Sequence, residues 1–267
     1  MKIYISADIE GIAGVTDREE ILKDALDGKD FLEQMTAEVA AACEGAQKAG
    51  ASEIVVKDAH HLARNIIPDK LPKDVNLIRG WSGHPYMMMD QLDDSFQAVM
   101  MIGYHAGAGS GDNPLAHTLN GGMFNSIKLN GQYASEFLLN TYTAALHKIP
   151  VVFVSGDKGL CDEVSEFNSS IATVAVKNCT GNATNNLHPK TAVQKIKETV
   201  TDVLKGKIED CLVSLPDHFS MEFKFNRAPM AYKYSFYPGT ALHKKDPSIV
   251  TLETDNYFEV LRFLLFI

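Results

Sequence analysis

Three short segments carry most of the chemistry this chain could perform: SADIEG at 6–11, KDAHH at 57–61 without a break, and GYHAG at 103–107. Each follows an apolar run that reads as a buried strand, and each places a metal-ligand type just past it: Asp8 and Glu10, then His60, then His105. Carboxylates and imidazoles converging at one edge of a parallel sheet can hold a pair of divalent cations. That points to metal-assisted hydrolysis rather than redox or nucleotide chemistry.

Each residue also has an ordinary explanation. Asp8 and Glu10 are two apart, so on an extended chain their side chains leave on the same face. Two carboxylates forced together repel unless a cation or proton lies between them; as solvated loop acids they would need neither. Gly11 lets the backbone turn sharply. Asp58, two residues before His60, is placed to brace its ring, although a lone histidine after a strand is more often a surface residue, and His61 should point elsewhere. His105 precedes AGAGSG, whose alternating glycines lack the GxGxxG spacing and the Lys-Ser/Thr of a phosphate cradle. Flexibility or close substrate approach explains that loop better. His117 is a candidate acid or base, or a partly buried loop histidine. Glu136 opens a helix, where the dipole favours an acid with no further role. Asp157 joins the group by position only. His84, His147, His188, His218 and His243 have no motif context.

These side chains need a rigid edge to converge on. Apolar segments at 2–8, 53–58, 97–103, 150–155 and 171–176 read as strands. A helix over 30–48 has Met35, Val39, Ala42 and Ala46 on one face, Asp30 and Glu33 in a capping-box pattern, and Gly50 at its end. Asn130-Gly131 is a hairpin-turn signal, and a helix is expected from about Ser135. Near-continuous apolar strands alternating with helices predict a three-layer α/β/α fold with a mostly parallel central sheet, in which sites form at the carboxyl ends of the strands. Beyond Val176 the pattern changes. An amphipathic helix at 190–205, strands at 220–225 and 248–253, and a helix from about 255 to the end read as a smaller α+β unit. The expected division is a catalytic domain at 1–185 and a small domain at 186–267, the latter involved in oligomer contacts.

Bulk properties narrow the class. The 267 residues are 45% hydrophobic and 22% charged, as expected of a folded enzyme, and the net charge of -9 with no Lys/Arg block argues against nucleic-acid binding. No apolar run approaches the ~18–20 residues of a membrane span, and the N-terminus lacks the pattern of a secretory signal. Cys43, Cys161, Cys179 and Cys211 are scattered and form no CxxC pair, which fits buried thiols in a reducing, cytoplasmic compartment.

The segments SADIEG, KDAHH, GYHAG, AHT and YASEFLLN, with VSGDKG and a later PGT, occur in an order and spacing that resembles the self-compartmentalising zinc D-aminopeptidases. The likeness covers nearly the whole chain. It implies metal-binding carboxylates at Asp8, Glu10 and Glu136, histidine ligands at His60 and His105, and a catalytic histidine at His117. It implies two Zn²⁺ per chain, with Mn²⁺ or Co²⁺ as alternatives that carboxylate-rich sites also accept. It further implies release of an N-terminal residue from short peptides, D-Ala peptides first, by a homo-oligomer that is a pentamer or a decamer of two stacked pentamers. The AGAGSGDNP and GNATNNLHP loops depart from the family pattern and are expected to touch substrate. Two other readings compete: a different metal-dependent amidohydrolase, acting on a cyclic or side-chain amide, and a non-catalytic metal-containing protein that binds small molecules or peptides. The terminal run from Tyr257 to Ile267 is apolar on more than one helical face, which suggests an oligomer interface or a helix buried between the two units.

Overall fold

The apolar segments become the strands of a sheet in which one inner strand leads straight into Asp8. The computed structural model describes residues 1–22 and 28–267. Its strands are β1 (Lys2–Ala7), β2 (Glu53–Asp58), β3 (Val75–Ile78), β4 (Ala98–Tyr104), β5 (Phe124–Leu129), β6 (Gln132–Tyr133), β7 (Val151–Asp157), β8 (Ala172–Thr180), β9 (Ala183–Asn186), β10 (Phe219–Phe225), β11 (Thr240–Leu242) and β12 (Ile249–Thr254). The helices are α1 (Gly28–Lys48), α2 (Glu136–Leu146), α3 (Lys158–Phe167), α4 (Pro189–Val203), α5 (Ala228–Tyr234) and α6 (Tyr257–Phe266).

A seven-stranded sheet runs in the order β3-β2-β1-β4-β7-β8-β9. It is parallel except at β9, which folds back antiparallel on β8. The chain builds outward from β1 through β2 to β3, then returns to start β4 on the other side of β1. This reversal is the topological switch point, where an α/β sheet leaves a crevice beyond its strand ends. Parallel neighbours stand ~4.8 Å apart, so the residues following β1, β2 and β4 are delivered to one edge. β1, β2, β4 and β7 are buried almost throughout, as their apolar sequences require.

The five-stranded antiparallel sheet has the order β11-β12-β10-β5-β6. It draws strands from both sides of residue 185, because the hairpin β5–β6 pairs with β10. Asn130 and Gly131 turn that hairpin with φ of 49° and 83°, the left-handed pair a tight turn needs. Helix α2 is wedged between the two cores. Phe137 and Ala144 pack into the first and Leu138, Leu139 and Tyr142 into the second. A helix apolar on every side is stable only when buried on every side, and each large side chain gains about 1.5–3 kcal/mol from leaving water.

Local signals explain several helix ends. α1 stops in a Schellman motif: Ala51 N–H donates to Ala46 O at 2.9 Å and Gly50 N–H to Gln47 O at 3.0 Å, with Gly50 at φ 95°. Its start differs from expectation. The helix is already formed at Gly28, so Asp30 lies inside the first turn rather than ahead of it, where an acid still meets the positive end of the dipole. Ser135 caps α2, accepting from Leu138 N–H at 3.2 Å. α6 buries Tyr257, Val260, Leu261, Phe263 and Leu264 in the second core, so most of the terminal apolar run is consumed within the chain; Phe266 remains 67% exposed.

Candidate metal centre

Two glycines let the loop after β1 lie flat against the end of β4. A Cβ on Gly11 would stand 1.7 Å from Tyr104 O, and one on Gly103, at φ 71°, would stand 2.3 Å from Asp8 O. Backbone bonds from Asp8 N–H to Ile102 O and from Gly11 N–H to Gly103 O, both 2.8 Å, fasten the contact. Asp8 and Glu10 are thereby held, almost fully buried, beside His60, His105 and Glu136, which are buried too.

The hydrogen bonds fix the imidazole tautomers. A carbonyl only accepts, so a ring nitrogen facing one carries a proton. His60 Nε2–H donates to Ile21 O at 3.1 Å, which turns Nδ1 toward Asp8 Oδ1 at 3.2 Å and Glu10 Oε2 at 3.1 Å. His105 Nδ1–H donates to Ala106 O at 2.9 Å. Its Nε2 then faces Asp8 Oδ2 at 3.5 Å and Glu136 Oε2 at 3.7 Å. His105 Nε2 and Glu10 Oε2 are both buried with no hydrogen-bond partner.

Unpartnered acceptors at His105 Nε2 and Glu10 Oε2, buried among further carboxylates, call for a cation. Two ligands ~2.1 Å from a zinc-sized ion at a tetrahedral angle stand about 3.4 Å apart, which matches these separations. The residues form three overlapping groups, Asp8–Glu10–His60, Asp8–His105–Glu136 and Glu10–His105–His117, with the ligand atoms of each within 4.8 Å of one another. Asp8 belongs to the first two and turns one oxygen toward the histidine of each. The donor set of nitrogen and carboxylate oxygen suits divalent cations of borderline hardness. Without a cation the same crowding perturbs ionisation. Burial, then repulsion from Glu10, pushes the Asp8 carboxyl well above the usual range. Burial pulls the His60 imidazolium down, but Glu10 and Asp8 more than offset this and raise it well above its ordinary value.

His117 stands beside this group on the wall of a cleft of about 750 Å³ that also exposes Asp8, Glu10, His60 and Glu136. Its Nδ1–H donates to Leu115 O at 2.8 Å, and its Nε2 faces Glu136 Oε1 at 3.7 Å. Burial lowers its proton affinity, but Glu136 and Glu10 outweigh that and raise it. Glu136 Oε1 in turn accepts from Leu119 N–H at 2.7 Å, in a turn where Leu119 takes φ 62°.

The chain matches the model of peptidase family M55, D-aminopeptidase, over residues 1–266. It belongs to the D-aminopeptidase family. Among its relatives, a D-aminopeptidase of Bacillus subtilis (strain 168) is 29% identical over 270 residues, spanning 99% of this chain and 96% of that protein. The solved structure of the Zn-dependent D-aminopeptidase DppA from Bacillus subtilis, described as a self-compartmentalizing protease, superimposes with a TM-score of 0.92 at 27% identity, covering 100% of this chain and 96% of that one.

Within this family member the site rests on side chains that carry no motif. Lys177, buried within β8, donates through Nζ to Glu10 O at 2.5 Å and Val15 O at 2.7 Å. Asn113 Nδ2 donates to Glu10 O at 3.2 Å and to Asp157 Oδ2 at 2.9 Å. Asp157 also accepts from Ala106 N–H at 2.9 Å and caps α3 through Leu160 N–H, so it fixes the loop behind His105 rather than entering the site. Glu38, on α1, accepts from Ala13 N–H at 3.0 Å. Asp58 does not touch the His60 ring. It accepts from Asn65 and Ile66 N–H, and Asn65 Nδ2 donates to His60 O at 2.7 Å, so it pins the backbone of that loop.

The two divergent loops separate. Pro114, closing AGAGSGDNP, lines the cleft. The hairpin of GNATNN instead braces the loop after β1: Gly14 N–H donates to Asn186 Oδ1 at 2.9 Å, and Thr16 and Thr184 share a hydroxyl bond of 2.5 Å. Of the remaining histidines, His84 lines the cleft and His188 caps α4.

Proposed function

We propose that this chain is a zinc-dependent D-aminopeptidase that removes the N-terminal residue from short D-amino-acid peptides, D-Ala peptides first, at the centre formed by Asp8, Glu10, His60, His105 and Glu136. One observation carries the reading: Asp8 turns its two oxygens toward two different histidines, each with its own further carboxylate. A bridging carboxylate between two cation positions is what a paired-metal hydrolase requires. Family membership and the similarity to a Zn-dependent enzyme support zinc over Mn²⁺ or Co²⁺.

Two bound ions there would supply Lewis-acid polarisation of the scissile carbonyl and a water acidic enough to react near neutral pH. The chain's own residues do the rest. Asp8 would serve both ions, His60 with Glu10 would hold one, and His105 with Glu136 would hold the other. His117, with Nδ1–H held by Leu115 O, turns Nε2 toward Glu136, and Glu136 and Glu10 outweigh burial to favour a proton there. That proton is placed to pass to the leaving amine as the peptide bond breaks. The buried cleft floor excludes bulk water and strengthens each of these interactions.

The reading extends to the assembly. Similarity to a self-compartmentalizing protease supports a homo-oligomer; our reading of it is a pentamer or a decamer of stacked pentamers, with 186–267 contributing contacts as a small domain. Exposed Tyr232 and Phe236, packed edge to face at 5.2 Å, offer apolar surface there. A cytoplasmic location is supported by four free cysteines; among the described residues no helix is long and apolar enough to cross a membrane. The test is a panel of D- and L-dipeptides, each with a free or an acetylated N-terminus. Release of free amino acid from the unblocked D-peptides is expected. Equal cleavage of the acetylated series would refute an aminopeptidase and favour a general amidohydrolase.

A further inference from the structure

Arg18 brings the one permanent positive charge among the described residues lining the cleft, whose acids are Asp8, Glu10, Asp90 and Glu136. It is not committed elsewhere. Among the described residues no acid pairs with its guanidinium. Two nearby acids are occupied: Glu20 Oε2 accepts from Thr16 and Asp17 N–H, and Asp17 Oδ1 accepts from Glu19 N–H. This capping box makes the 3-10 turn Arg18–Ile21 a fixed mount. The far end of that turn is the carbonyl of Ile21, which orients His60 at 3.1 Å. A 3-10 helix rises ~2.0 Å per residue, so Arg18 sits only about 6 Å along its axis from the group holding His60.

A dipeptide carries its terminal carboxylate one residue, ~3.5 Å, beyond the scissile carbonyl. Arg18 lines the same cleft as Asp8, Glu10 and Glu136, and its guanidinium matches a carboxylate with paired donors. We propose that Arg18 reads the C-terminal carboxylate of the substrate, and thereby makes dipeptides the preferred substrate class over longer or C-terminally blocked peptides. The inference rests on the aminopeptidase reading of the same site.

The experiment compares kcat/KM of the zinc-loaded enzyme and of Arg18→Gln on D-alanyl-D-alanine and on its C-terminal amide. The parent enzyme should prefer the acid, and the substitution should cut the acid-over-amide ratio by at least about tenfold, mainly through KM on the acid, in line with losing one charge-assisted contact. Arg18→Lys should restore part of the ratio, and the parent's ratio should shrink with added salt. Unaltered zinc content in each variant reports an intact centre. Equal loss on acid and amide, or no change in the ratio, overturns the role of Arg18 while leaving the aminopeptidase intact. A parent enzyme that hydrolyses neither compound sinks both.

Discussion

The imidazole of His117 lies nearly parallel to that of His105, with ring centroids 4.5 Å apart and planes inclined by 22°. The stack aligns a ring that faces Asp8 and Glu136 with a ring that reaches the open cleft. It holds His117 by packing, while the Leu115 carbonyl sets its tautomer.

If His117 moves the proton, His117→Ala should retain zinc and fold while kcat falls by roughly 10²–10⁴, the range for an acid/base residue. His117→Phe keeps an aromatic stack and should be equally slow. Loss of zinc from both variants would instead make His117 a ligand, and activity within a few-fold of the parent would make it structural.

Lys177 is buried, and its ammonium ties the carbonyls of Glu10 and Val15 together. Lys177→Met fills similar space but strands Val15 O and leaves Glu10 O with the Asn113 donor alone, at a cost of roughly 1–3 kcal/mol. Urea unfolding should show that loss, and a chelator should strip zinc from the variant at concentrations the parent withstands. An unchanged unfolding midpoint would show that the ammonium is not needed to hold the loop.

Glu38 is fully buried, and burial pushes its carboxyl up to about 7 despite the Ala13 and Gln34 donors. In the unfolded chain a glutamate ionises near ~4.3. The folded state therefore favours the neutral acid, a contribution present below ~4.3 and lost as pH rises through about 7. Glu38→Gln cannot titrate. Relative to the parent it should gain stability between pH ~4.5 and ~8, by on the order of 4 kcal/mol at most. Urea midpoints of the two zinc-loaded proteins at pH 5 and pH 8 measure this, and a gap independent of pH would contradict it.

The sequence made the strand ends legible because parallel strands buried on both faces read as unbroken apolar runs. β2 falls on the expected 53–58, and Asp8, Glu10, His60 and His105 meet at one edge. Glu136 was legible only through resemblance, since an acid opening a helix needs no further reason; burial of α2 between two cores is what makes it costly. β3 escaped because it is four residues long and only half-buried. The supports were hidden for a different reason. Lys177 and Glu38 are residue types expected in water. Only their placement gave a signal: Glu38 on the apolar stripe with Met35 and Ala42, Lys177 just past the apolar run of β8. The Ile21 carbonyl that orients His60 belongs to a loop, and no side-chain pattern marks it.

The bridging role of Asp8 is tested most directly by counting metal. Purified parent protein, analysed by mass spectrometry of its metal content, should hold about two zinc ions per chain. Asp8→Ala and the milder Asp8→Asn should lose both, because one carboxylate serves both positions. Circular dichroism would confirm that the variants fold. A folded Asp8→Ala protein that keeps its full zinc content, or gives up only one ion, would contradict a shared carboxylate at this centre.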